Sequence, residues 1–424
     1  MRPLPLLAAA VLAAAGGLAH TAEDRAVGGD VDSLLVLARE RHPEFAAMRH
    51  EATAAAARVD SAGALPDPMF GVELRDFTNE SGMNADSPNL LPARVGATRY
   101  TVTQSLPWFG KRALRRAVAA AEGEAAQGRA AATWTDLAWQ IKQTYAQHHL
   151  HMANLRYGRE NLGLLDQLEK IAQARYANGL APQQDVIRAQ TERTALASEL
   201  AMIEGEHAQM GERLLTLLGR PGGVHLHDPE HLRPPPAPTR LDPAALEARF
   251  VERNPRLAAD AARIEAAEKG RTLTYRERYP DVNVGVAAMQ ERNRVTSYDL
   301  MFEINIPLQQ DSRRAKEREA ERMLDAARAR KEATLNQIKA ELAESLAALH
   351  AARRVEELAG NSLLPQAELT LQAALAGYET GKVDFAAVLD AQRQIRRARE
   401  DLVRAKVLQE MRRADIERAL GEEL

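Results

Sequence analysis

The 424-residue sequence contains no cysteine. That excludes disulfides, thiolate metal sites, a thiol nucleophile and a lipidated cysteine behind an export signal. Aromatic residues are scarce at 4%, too few for a core built on large rings. Net charge is small as well: 56 basic against 59 acidic residues leave −3, which gives no reason to expect nucleic acid as a partner. Beyond the first residues no run of 18 apolar positions occurs, so no transmembrane helix is expected in the mature protein. Nucleophile elbow, zinc-protease, phosphate-loop and dinucleotide motifs are all missing, and neither an enzyme nor a cofactor is expected.

What the sequence does have is alanine, leucine, arginine and glutamate in quantity, a composition suited to long helices in close contact. Arg2, the apolar run from Leu4 to Leu18 and small residues at Gly17-Leu18-Ala19 or Ala22 read as a signal peptide over residues 1–22.

The rest is written twice. Arg41-His42-Pro43 matches Arg253-Asn254-Pro255, and Pro66-Asp67 matches Pro280-Asp281. Leu106-Pro107 matches Ile306-Pro307. Tyr176 and Gly179 match Tyr378 and Gly381, and Val186, Ala189 and Gln190 match Val388, Ala391 and Gln392. The offset is 214 residues before the middle strands and 200 to 202 after them; a longer polar loop near Asn79 to Leu91 accounts for the change. The Gly- and Pro-rich stretch from Gly219 to Pro238 separates the copies. The expected domains are a first repeat over 23–219, a linker over 220–243 and a second repeat over 244–424.

Each copy reads helix, strand, loop, strand, very long helix, turn, helix. Phe70, Val72 and Leu74 alternate with Gly71, Glu73 and Arg75; Tyr298, Leu300, Phe302, Ile304 and Ile306 alternate with Asp299, Met301, Glu303 and Asn305. Such runs of about 9 to 12 residues fit a tilted membrane strand, and equally a half-buried sheet of a soluble protein. Lys111 to Tyr176 contains no proline and would span roughly 100 Å as one helix. Leu196, Leu200, Ile203, His207, Met210, Leu214 and Leu217 keep a strict 3.5-residue period, the mark of a left-handed supercoil. Pro365 is expected to kink or break the last long helix. Four strands cannot close a barrel, and an open edge cannot lie in lipid, so the membrane reading requires an oligomer. Three chains would supply twelve strands.

These features in this order resemble the TolC-type outer-membrane efflux proteins, from about Leu34 to Leu420. The segments Leu65-Pro-Asp-Pro-Met-Phe70 and Leu106-Pro-Trp-Phe-Gly-Lys-Arg112 are most similar to the heavy-metal branch, the CusC- and CzcC-like proteins. The resemblance implies a mainly helical protein with membrane β-strands. A homotrimer would form a 12-stranded β-barrel in outer-membrane lipid, continuous with a 12-helix α-barrel crossing the periplasm. The implied function is the exit duct of a tripartite efflux system, fed by a periplasmic adaptor and an inner-membrane RND pump, with heavy-metal cations or small organic molecules as cargo. Tyr176, Gly179, Gln184, Tyr378, Gly381 and Lys382 would form the periplasmic tip turns and helix-pair contacts. Asp185 and Asp390 would narrow the tunnel as a gate. Two departures stand out: Ala387 occupies a position acidic in well-known relatives, and Val383 replaces an arginine. A periplasmic adaptor and a secreted coiled-coil protein are the rival readings.

No metal site is expected in this frame. His148 with His151 or Met152 on one helix face, and His225, His227, Asp228 and His231 in the linker, have spacings that could hold a metal; polar helix and loop surface are the bland readings. His207, in a heptad position, reads as an inter-helix polar contact. Met289 and Met301 share lumen-side parity, and Trp108 and Phe109 suit either a membrane boundary or a strand-to-helix corner.

Overall fold

A computed structural model describes residues 29–75, 95–220, 226–229, 231–291 and 294–424. The signal segment, the polar loop and His225 fall outside them. The repeat is plain in the elements. The first copy contributes α1 (Val31–Arg41), α2 (Pro43–Ala62), β1 (Met69–Arg75), β2 (Ala97–Leu106), α3 (Lys111–Ala177) and α4 (Gln183–Leu217). The second contributes α5 (Pro243–Arg253), α6 (Pro255–Arg276), β3 (Val282–Glu291), β4 (Arg294–Ile304), α7 (Gln310–Leu358), α8 (Leu364–Glu379) and α9 (Phe385–Leu420).

The matching Arg-x-Pro tripeptides explain the paired helix breaks. A proline cannot donate to the preceding turn but suits the first position of a new helix. Asn254 caps α6, its Oδ1 accepting from the N–H groups of Arg256 and Leu257 at 2.8 and 3.3 Å. His42 does the same for α2 with its ring, Nδ1 accepting from the Phe45 N–H at 3.3 Å. Pro365 acts as expected. The backbone passes through a π-helical turn at Ala359–Leu363 and resumes as α8 with the proline at its start.

Two compact units draw on both copies of the repeat: one comprises residues 1–46, 134–247 and 340–424, the other 47–133 and 248–339. The second unit contains one antiparallel sheet in the order β1-β2-β3-β4. Its register aligns Phe70 with Val102, Val102 with Val286 and Val286 with Leu300. That row crosses all four strands, and each member is exposed. Tyr298, Phe302 and Ile304 extend the same face, with Phe302 65% exposed. The opposite face carries Thr101, Arg99 and Asp299, the last two 3.6 Å apart as an ion pair. The alternation therefore puts an apolar surface outside, where a soluble protein would hide it.

The strand-to-helix corner is pinned across the repeat. Asp281 Oδ1 accepts from the Trp108 N–H and from Lys111 Nζ, both at 2.8 Å. Lys111 also donates to Tyr279 O at 2.8 Å, and the Trp108 and Tyr279 rings stack at 5.6 Å. Trp108 thus packs at the corner, while Phe109 is exposed. Met289 and Met301 do not pair: Met301 faces Gly285 and Met289 faces Ser297.

In the first unit α3, α4, α8 and α9 share one core. Leu165, Leu168, Leu196 and Leu200 from one copy pack with Leu371, Tyr378, Phe385 and Val388 from the other. The heptad positions Leu196, Leu200 and Leu214 are buried, and so are Ile338, Leu342, Leu346 and Leu349 of α7.

Candidate functional site

The two turns that join the helix pairs have one design. Gly179 (φ 71°) and Gly381 (φ 76°) occupy the left-handed region, where a Cβ is strained. The Gly179 N–H donates to Tyr176 O and that of Leu180 to Arg175 O; the Gly381 N–H donates to Tyr378 O and that of Lys382 to Gly377 O. Gly377 is needed for a second reason: a Cβ there would lie 2.5 Å from Val383 Cγ2. Asp384 then caps α9 by accepting from the Ala387 N–H at 3.0 Å.

The side chains break this symmetry. Tyr176 is 47% exposed, whereas its counterpart Tyr378 is 4% exposed and lies 5.2 Å from the Phe385 ring. Tyr378 Oη donates to Asp185 Oδ2 at 3.4 Å, so a tyrosine of the second copy meets an aspartate of the first. Burial and the adjacent Asp185 carboxylate push the Tyr378 hydroxyl above its ordinary pKa, which keeps it a donor. Arg175 sits over the Tyr378 ring at 4.7 Å and donates from Nη1 to Glu379 O at 2.8 Å. An arginine therefore does reach the second turn, from α3 rather than from position 383. Nothing in the sequence pairs Arg175 with that turn, because the contact spans 204 residues.

Beyond the turns α4 and α9 face each other across a cavity of about 590 Å³. Gln183, Gln184, Ile187, Glu192, Asp390 and Arg393 line it. Arg393 grips Glu192 with two bonds, at 2.9 and 2.5 Å, and its Nη1 lies 3.4 Å from Asp390. Hydrogen bonding and charge from Arg393 hold the Glu192 carboxyl below its ordinary value. Asp390 is exposed and Asp185 buried, so the two aspartates occupy different environments within one chain. Lys382 is exposed at the second turn.

A family model described as outer membrane efflux protein matches residues 34–220 and 248–422. The chain belongs to the outer membrane efflux protein family. It is an outer-membrane efflux channel, a transport conduit and not an enzyme. The rival readings, adaptor and structural coiled coil, fall with that match. Among solved structures, CusC superposes with a TM-score of 0.79 at 18% identity, over 93% of this chain and 93% of CusC. VceC from Vibrio cholerae gives 0.77 at 18%, over 93% and 96%. The open state of MtrE from Neisseria gonorrhoeae gives 0.72 at 16%, over 94% and 90%. Identities this low speak for the fold. Curated protein sequences return no match.

The remaining candidates of this channel separate. His151 Nδ1 pairs with Glu206 at 3.3 Å and His148 turns elsewhere, so these two do not converge on one contact. His227 is exposed. His207 stacks on His148 with ring centroids 4.3 Å apart, the inter-helix contact its heptad position suggests.

A buried charge network was not legible at all. Lys142 of α3 and Arg233 of the inter-repeat segment converge on Glu417 of α9 at 2.7 and 3.2 Å, Arg413 joins at 2.9 Å, and Arg233 also holds Glu410 at 2.6 Å. Burial works against the charge on Glu417, but Lys142, Arg233 and Arg413 outweigh it and hold that carboxyl below its ordinary range. For Glu410 burial wins and the carboxyl lies above it.

Proposed function

We propose that three copies of this chain form one exit duct in the outer membrane, carrying heavy-metal cations out of the cell. The observation that carries the reading is the four-stranded sheet. One face is apolar and exposed, and the outer strands β1 and β4 have no further partner within the sheet. Lipid covers such a face, but bare edges in lipid leave backbone groups unsatisfied. Four strands from each of three chains close a 12-stranded barrel, and the long helices supply a periplasmic tunnel wall of twelve helices. A signal peptide over residues 1–22 directs export without lipidation. The repeats, 23–219 and 244–424, are joined by a linker over 220–243.

The turns at Gly179 and Gly381, with Tyr176, Gln184 and Lys382, form the tip that meets a periplasmic adaptor and an inner-membrane RND pump. Energy comes from that pump. Three copies of Asp390, exposed beside the cavity, give a ring of carboxylates that attracts cations and repels anions. Asp185 joins that ring when its bond to Tyr378 opens. The metal cargo rests on the two short segments similar to the CusC- and CzcC-like branch; small organic molecules are the competing cargo.

A deletion strain tests the cargo. Loss of the channel sensitises cells to divalent metal salts, and the plasmid-borne gene restores resistance. Sensitisation to apolar drugs with unchanged metal tolerance would replace metal by organic cargo.

A further inference from the structure

Two residues of α3, Tyr145 and His149, hold the inter-repeat segment. Tyr145 Oη lies 3.0 Å from Gly29 O and 3.1 Å from His231 O. His149 Nδ1 lies 2.9 Å from Pro229 O, so it carries the proton there. These contacts anchor the segment just after Asp228, whose carboxylate lies by two further imidazoles. Asp228 Oδ1 is 2.9 Å from His207 Nε2 of α4 and 3.9 Å from His148 Nε2 of α3. One ligand-type atom from each of the three residues lies within 4.8 Å of the others.

Hydrogen bonding does not account for this arrangement. His148 is 2% exposed, and its Nδ1 has no hydrogen-bond partner. His207 Nε2 is buried and lacks one too, because its approach to Asp228 has the distance of a bond without the angle. The two stacked imidazoles and the carboxylate make a nitrogen–nitrogen–oxygen donor set. Metal bonds of about 2.0–2.2 Å in tetrahedral array put donors roughly 3.4 Å apart; the two distances to Asp228, 2.9 and 3.9 Å, bracket that value, and all three donors lie within 4.8 Å of one another.

We propose that His148, His207 and Asp228 bind one resident divalent ion of the zinc class, which fastens the inter-repeat segment to the α3–α4 pair. Imidazole and carboxylate suit a borderline ion such as Zn²⁺ or Co²⁺ better than a hard Mg²⁺ or a soft Cu⁺. Water completes the coordination from an adjoining cavity of about 540 Å³, lined by His207 and Asp228. The site lies within one chain and does not depend on what the duct carries.

The test uses the untagged full-length channel in detergent, stripped with a chelator and titrated with Zn²⁺ by calorimetry and with Co²⁺ by visible absorption. The expected result is one ion per chain, an intense four-coordinate Co²⁺ band and a Tm that rises with Zn²⁺. His207→Ala and Asp228→Asn should each weaken Zn²⁺ binding at least tenfold and abolish the band. Asp228→Asn keeps the shape of an exposed side chain and so covers the case in which His207→Ala fails to fold. His227→Ala should change nothing. Absent stoichiometric binding, binding that survives both ligand variants, or binding lost in His227→Ala would each overturn the proposal.

Discussion

Tyr378 donates a hydrogen bond to Asp185 across 3.4 Å, joining the two copies of the repeat at equivalent turns. The partners lie 193 residues apart in sequence, and Ala387, at the position equivalent to Asp185, has no side chain to accept a matching bond from Tyr176. A bond of this kind contributes about 1 kcal/mol, enough to bias a two-state tip without locking it. Tyr378→Phe keeps the ring against Phe385 and Arg175 and removes only the hydroxyl. The expected outcome is a higher mean conductance in planar bilayers with Tm nearly unchanged. Unaltered conductance would remove this bond from the proposed gate.

Glu417 is the hub of the buried charge network. Glu417→Ala strands Lys142 and Arg233 without their shared carboxylate, a loss of about 3 kcal/mol for buried pairs. Thermal unfolding should show a fall in Tm well beyond that of an exposed control such as Glu204→Ala.

Acid should loosen the α4–α9 contact. The Glu192 carboxyl is held below its ordinary value of 4.5, with Arg393 the cause. A depressed carboxylate contributes stability that is present above that value and lost as pH falls through the lower folded one. The pair is partly exposed, so the term is about 1 kcal/mol or less. Melts at pH 7 and pH 3.5 should show a smaller pH-dependent loss for Glu192→Gln than for wild type.

Gly128 lets α3 approach α6 closely. A Cβ at this position would meet Ala259 backbone atoms at 2.9 Å. Gly128→Ala should cost about 1–3 kcal/mol through overpacking, despite alanine's better helix propensity. Equilibrium unfolding in denaturant reads it directly.

Much of this fold was legible in the sequence because it is periodic. The strand alternation, the heptads of α4 and the glycine turns are local patterns, and a duplication doubles each signal. Even the helix breaks at His42 and Asn254 follow from the proline after them. The site was less legible, since its contacts cross between copies. Arg175 on Tyr378, Arg393 on Glu192 and Lys142 on Glu417 each join residues about 200 or more apart, and no spacing rule pairs them. The histidines show the same limit. His148 and His151 share a helix face, yet the structure groups His148 with His207 and Asp228, because α4 and the inter-repeat segment supply the missing sides.

In the proposed assembly several chains share one duct. Its most direct measurement is the protein mass of the complex extracted from isolated outer membranes, by light scattering with the detergent contribution subtracted. A shared duct gives a mass of three mature chains in the membrane fraction. A monomer that stays in solution without detergent would contradict it.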